Sequence, residues 1–270
     1  MSNQENPTKT AVPAPVVLAA AAHPDDIEFM MAGTLLRLKR AGAEIHMWNL
    51  ANGHCGTAQH SREEIIRLRA AEAEASARLA GAVPHPPLFD DLGIFYDQAS
   101  LARVAAVVRA IRPSIILTQS PQDYMEDHQN TCRLLVTAAF AHGMRNYVSQ
   151  PPRPGWEAPL AVYHALPHGL HDGMGQPVRP DLTVDIGSVM TEKRAMLACH
   201  RSQKEWLDIS QGMDAYLEEM VGMSATVGRM SGRFTHAEGW RRHSKLGFAP
   251  NHFNPLETIL KGDCHATTAE

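Results

Sequence analysis

From residue 15 onward, short apolar runs rich in β-branched residues alternate with longer stretches of helical periodicity, and this alternation constrains the fold more than any other feature of the chain. Strands that are apolar throughout are covered on both faces, and a strand-helix-strand order builds a parallel sheet with helices on each side. The predicted strands are "PVVLAAAA", "AEIHMWNLA", "HPPLFDD", "PSIILTQS", "LAVYHAL" and "LTVDIG". One helix is predicted through "EFMMAGTLLRLKRAGA" with Gly42 at its C-terminal cap, and a second from the capping box Ser61–Glu64 to about Gly81. Others are predicted through "ASLARVAAVVRAIR", after His128 through "NTCRLLVTAAFAHG", and through two long patterns, "SVMTEKRAMLACHRSQKEWL" and "MDAYLEEMVGMSATVGRM". The expected fold is α/β, a Rossmann-like layered arrangement with a mostly parallel sheet and helices on both faces.

With 270 residues, 44% of them hydrophobic, the chain can fill one core. Residues 15–270 therefore read as a single domain, and the polar, proline-containing residues 1–14 as a flexible tail. A net charge of −4 and the lack of any basic run argue against a nucleic-acid partner. The first apolar run is too short to be a membrane span or a secretory signal. Four cysteines without a CxxC pair suggest neither a disulfide framework nor a thiolate zinc cage, so reduced thiols, a cytoplasmic setting and a small-molecule partner are expected.

Ligands of open parallel sheets collect beyond the carboxyl ends of the strands. "AAHPDDIEF" puts His23, Asp25 and Asp26 at the first such end, and "PQDYMEDHQNT" puts Asp123, Tyr124, Glu126, Asp127 and His128 at a later one. Two imidazoles and one carboxylate can hold zinc or another divalent ion and leave a position open for water. Adjacent aspartates point apart, so one can bind metal while the other serves as general base.

These residues resemble the PIG-L/LmbE-like metal-dependent N-acetylglucosaminyl deacetylases, whose signature is AHPDD after the first strand and a HPDH-like motif after a later one. Here they read "AHPDD" (Ala22 to Asp26) and "MEDH" (Met125 to His128). The resemblance runs from Val16 to the 240s and implies His23, Asp26 and His128 as metal ligands and Asp25 as base. "RLRAAEAEASARLAG", with Arg69 and Glu72, and "CHRSQ", with His200, are similar to further family elements. The resemblance implies a zinc-dependent hydrolase that removes an N-acyl group, most plausibly acetyl, from a small amino-sugar substrate, and relatives that often form homo-oligomers.

One position departs from the family. Met125 stands where many members carry an oxyanion-stabilising histidine, and a thioether donates no hydrogen bond. Tyr124, or a histidine from another loop such as His54 or His200, is the expected replacement.

Plainer roles compete at several positions. Asp123 and Asp127 suit a helix N-terminus, and Asp127 suits equally the orienting of a ligand imidazole. Arg69 and Glu72 can form an intrahelical pair instead of meeting substrate. His54 lies in "NGHCGT", a loop that either wraps a polar ligand or only connects. His200 and Gln203 either reach the crevice or tie their helix to a neighbouring loop. "SQPPRPGWEAP" reads as a surface loop, at a site mouth or as a plain connection, and "HAEGWRRHSKLGF" as a candidate substrate rim.

Two functions from other classes compete. A metal-retaining sugar-binding module that has lost turnover is consistent with Met125. Phosphoester hydrolysis normally wants a second metal and more carboxylates. A dinucleotide site is disfavoured, because no GxGxxG follows the first strand and its carboxylates would repel a pyrophosphate.

Overall fold

The computed structural model describes residues 14–204 and 215–267. Eight strands form one sheet: β1 (Val16–Ala21), β2 (Glu44–Asn49), β3 (Val83–His85), β4 (Ile115–Thr118), β5 (Ala161–Ala165), β6 (Leu182–Asp185), β7 (Ala237–Arg242) and β8 (Cys264–Ala266). Their order is β3-β2-β1-β4-β5-β7-β6-β8. The first five in that order run parallel, and β7, β6 and β8 add antiparallel pairings. The mostly parallel, Rossmann-like expectation holds.

β1 shows why the sheet is covered on both faces. Val17, Ala19 and Ala21 pack with Leu35 and Leu38 of α2 (Ala32–Arg40) and Ala77 of α3 (Arg62–Ala80). Leu18, Ala20 and Ala22 pack instead with Val104 and Val108 of α4 (Gln98–Ile111) and Leu134 and Leu135 of α5 (Glu126–Phe140). Successive side chains point to opposite faces, and both sets are buried.

The expected first helix is two helices, α1 (Asp26–Met30) and α2, broken at Met31. The cause is remote in sequence: the carboxylate of Glu238 on β7 accepts the Gly33 amide at 2.8 Å and the Thr34 amide at 2.7 Å. Those bonds satisfy two donors that a helix start otherwise leaves unpaired. Lys193 on α6 (Met190–Leu197) is fully buried, with Nζ 2.7 Å from Glu238 Oε1 and 2.8 Å from the Phe29 carbonyl. β7 thus lies inside "HAEGWRRHSKLGF", whose first half is a strand between β5 and β6 and not a rim.

Other departures are local. β3 precedes Pro86 and Pro87, which have no N–H for a ladder, and only an isolated bridge joins Ala51 to Phe89. α5 begins at Glu126, so His128 lies within its first turn. The long pattern from Ser188 breaks after Leu197, and residues 205–207 of it lie outside the described residues. So do residues 213 and 214 of the next pattern, which is α7 (Ala215–Ser231), and all but Ala14 of the expected tail. A short α8 (Pro255–Ile259) precedes β8. The "SQPPRPGWEAP" loop is a plain connection: Arg109, buried, donates to the carbonyls of Ala141, Met144, Tyr147 and Arg153 around it. All four cysteines are free. Among the described residues no helix is long and apolar enough to cross a membrane.

Removing one partner of a buried pair strands the other charge. Lys193→Met is expected to lower the unfolding free energy by about 3–5 kcal/mol in urea denaturation. Arg40→Ala, which breaks the exposed pair with Glu192, should change it by less than about 1 kcal/mol.

Candidate active site

β1 pairs with β2 on one side and β4 on the other, so the chain reverses its winding direction at β1 and opens a crevice beyond the strand ends. The loops after β1 and β4 meet there and line a cleft of about 430 Å³. His23, Asp26 and His128 each present a ligand atom within 4.8 Å of the others.

Each imidazole is held at one nitrogen by a carboxylate and turns the other towards Asp26. His128 Nδ1 lies 3.0 Å from Asp123 Oδ1, and its buried Nε2 has no hydrogen-bond partner and faces Asp26 Oδ1 at 3.4 Å. His23 Nε2 lies 3.1 Å from Asp127 Oδ2, while Nδ1 faces Asp26 Oδ2 at 3.5 Å. Asp26 is fixed in turn by the His23 amide at 2.7 Å and Gln119 Nε2 at 3.0 Å. A buried imidazole nitrogen left unpaired beside a carboxylate fits a divalent cation, and the orienting carboxylates are those metal-binding histidines usually carry.

Electrostatics agree with that fit. Burial pulls the His23 imidazole down, but hydrogen bonds to Asp127 and Asp26 outweigh it and raise its pKa to about 10. Burial opposes the shift at His128 as well, where Asp26 and Asp123 raise it. Burial also disfavours the Asp26 charge, yet His128 and His23 hold that carboxyl well below the ordinary carboxylate range. The carboxylates around the two imidazoles thus favour positive charge at the centre of the cluster.

Asp25 is built differently. It stands at the N-cap position of α1 with φ at +112°, a conformation costly for any residue but glycine. The Tyr216 hydroxyl on α7 donates to Asp25 Oδ2 at 2.7 Å, and Arg69 Nη2 lies 3.6 Å from the same oxygen. Burial raises the Asp25 pKa above its ordinary value, against the pull of Arg69.

Arg69 does not pair with Glu72. It is buried, donates to the carbonyls of Gly53 and Pro24, and lines the cleft. A Cβ at Gly53 or Gly56 would sit 2.7 Å or 2.3 Å from Arg69 side-chain atoms, so both glycines are needed for its passage. Glu72 accepts from the Ser202 amide and hydroxyl, and His200 Nε2 lies 3.2 Å from Glu28 Oε1. His200 is fully buried and does not line the cleft; with Ser202 it ties the "CHRSQ" element to α1 and α3, whereas Gln203 of the same element lines the cleft.

Tyr124 is 54% exposed and lines the cleft, its ring edge-on to His128 at 5.7 Å between centroids. Met125 lines the cleft beside it. His54 sits in the loop after β2, where its Nδ1 accepts from the Asp91 amide at 3.3 Å, and its neighbour Cys55 lines the cleft. Tyr216, Asp91 and Gln119, together with the rim pair His168 and Glu219 at 3.0 Å, escaped sequence reading. Only Asp123 left a trace, five residues before His128.

Residues 18–140, which contain both motifs, match the family described as PIG-L: GlcNAc-PI de-N-acetylase. Over that stretch the chain resembles the PIG-L family. It is 28% identical over 231 residues to the diacetylchitobiose deacetylase of Thermococcus kodakarensis, covering 83% of this chain and 82% of that protein. Among solved structures, the N,N'-diacetylchitobiose deacetylase from Pyrococcus horikoshii superposes with a TM-score of 0.73 at 23% identity, over 90% of this chain and 89% of that one. GalB, the 4-carboxy-2-hydroxymuconate hydratase from Pseudomonas putida, superposes with a TM-score of 0.70 at 23% identity, over 89% and 98%. At that identity the two structures establish a shared fold, and one fold carries both a deacetylase and a hydratase.

Three outcomes follow from this geometry. If the cluster binds zinc, the ion competes with the proton on His23, so zinc affinity should rise with pH through the neutral range and level off near pH 10, with proton release measurable by calorimetry in buffers of different ionisation enthalpy. In the metal-free protein the raised His23 pKa stabilises the fold fully below about pH 6.5, and that contribution is lost as pH rises through about 10. Asp127→Asn should weaken zinc binding about 10–100-fold, read by competition with a chelating dye.

Proposed function

We propose that the chain is a zinc-dependent N-deacetylase acting on an N-acetylated amino sugar or its conjugate. The observation that carries this reading is Asp25, a buried carboxylate held by Tyr216 beside the His23–Asp26–His128 cluster on one wall of the cleft. The deacetylase relative at 28% identity supports amide hydrolysis over hydration, which the shared fold alone leaves open.

His23, Asp26 and His128 would hold the ion. Zinc bound there supplies a Lewis acid that lowers the pKa of water towards about 7 and polarises an amide carbonyl. Asp25 takes the proton from the attacking water and, as the carbon–nitrogen bond breaks, passes it to the departing nitrogen, leaving a free amine and acetate. Tyr216 occupies Oδ2 and so fixes the carboxylate during both transfers. Tyr124 presents its hydroxyl at the cleft, where Met125 has no donor to offer, and stabilises the developing oxyanion. Arg69 steadies the Asp25 charge and the backbone of the two loops it joins.

The test is acetate release from N,N'-diacetylchitobiose and N-acetylglucosamine by the zinc-loaded protein. Asp25→Asn should retain metal and lose about 10²–10⁴-fold in kcat. Sugar binding without acetate release by the wild type would replace the enzyme reading with that of a binding module. Full turnover in a metal-loaded Tyr124→Phe would remove Tyr124 from the mechanism. The Tyr216 hydrogen bond favours the Asp25 carboxylate, so Tyr216→Phe should move the acid limb of kcat/KM to higher pH, an unchanged limb arguing against Asp25 as the base.

A further inference from the structure

Among the described residues a second group of metal-ligating side chains converges. His54, Cys55 and Asp91 each place a ligand atom within 4.8 Å of the others. We propose that these three form a second divalent-metal site, of the zinc class, on the rim of the same cleft and separate from the His23 cluster.

The site is held in shape by backbone as well as side chains. Buried Asp91 accepts the Gly53 amide at 2.7 Å on Oδ1 and the Cys55 amide at 2.9 Å on Oδ2. That clamp folds the loop after β2 back on itself, so Cys55 Sγ lies 3.4 Å from His54 Nε2. Each Asp91 oxygen keeps a lone pair after accepting one amide. One nitrogen, one sulfur and one carboxylate oxygen form a donor set that selects zinc-like ions over magnesium or calcium. Cys55 is exposed, so an ion reaches it from solvent.

The surroundings favour a cation. Burial and the charges of Asp91, Asp127 and Asp90 push the Cys55 thiol above its ordinary value. A bound ion reverses that balance and releases the thiol proton to solvent as the thiolate coordinates. Coordination through His54 Nε2 leaves the proton on Nδ1 and so gives up one interaction, the 3.3 Å contact from the Asp91 amide. The next residue, Leu92, donates its amide at 2.7 Å to Asp127 Oδ2, the oxygen that also holds His23. A ligand of the second site therefore adjoins in sequence a residue that helps orient the first.

The experiment is a titration of the full, chelator-stripped, reduced chain with cobalt(II), followed by stoichiometry and by the near-ultraviolet thiolate-to-cobalt band. Wild type should bind two equivalents and show the band. Cys55→Ser should lose one equivalent and the band, whereas His128→Ala should lose one equivalent and keep it. Thermal melting of each variant checks that it is folded. A single equivalent without the band in wild type, or a band that survives Cys55→Ser, overturns the second site. Neither result depends on acetate release, so failure here and failure of the deacetylase reading are distinguishable.

Discussion

The parallel pairing of β1 with β4 governs the rest of the molecule. Ala20 stands opposite Thr118, so the turns that follow these strands must leave the sheet side by side. The first turn carries His23 and the second leads to His128, 105 positions later in sequence. Gln119, directly beyond β4, spans the gap by accepting the Ala22 amide and donating to Asp26. Without that register neither histidine could face the same carboxylate.

Around this seam the protein holds its functional groups from behind. Asp123 and Asp127 fix the two imidazoles, Tyr216 and Arg69 fix Asp25, and Glu72 with Glu28 anchors the "CHRSQ" segment. Such carboxylates are costly to bury unless each finds a partner, and most of them serve two elements at once. The same logic recurs in the structural half, where Glu238 starts α2 and neutralises buried Lys193. Specificity of position is obtained with charge, so single substitutions here affect both stability and chemistry.

The parallel half of the sheet and the convergence of His23, Asp26 and His128 were legible because their signals are local. "VVLAAA" is apolar on both faces, Ser61 caps α3 by accepting the Glu64 amide, and "AHPDD" follows a strand directly. Of the antiparallel half, "LTVDIG" marked β6, but β7 and β8 were not legible. "AEGWRR" has a glutamate where a strand buried on both faces would show an apolar residue, and only partners distant in sequence, Lys193 and the Gly33 and Thr34 amides, make Glu238 tolerable inside. Tyr216 gave no signal either, since it reaches Asp25 across 191 positions from an amphipathic helix. His200, a candidate for the cleft by spacing, is drawn into the protein by Glu28 instead.

The central claim is that two distant strand ends build one metal site. Zinc per chain, measured by elemental analysis after reconstitution of wild type and His128→Ala in parallel, tests it most directly. The variant should retain one equivalent fewer than wild type while remaining folded. Equal zinc in the two proteins would show that His128 binds no metal and would contradict the account.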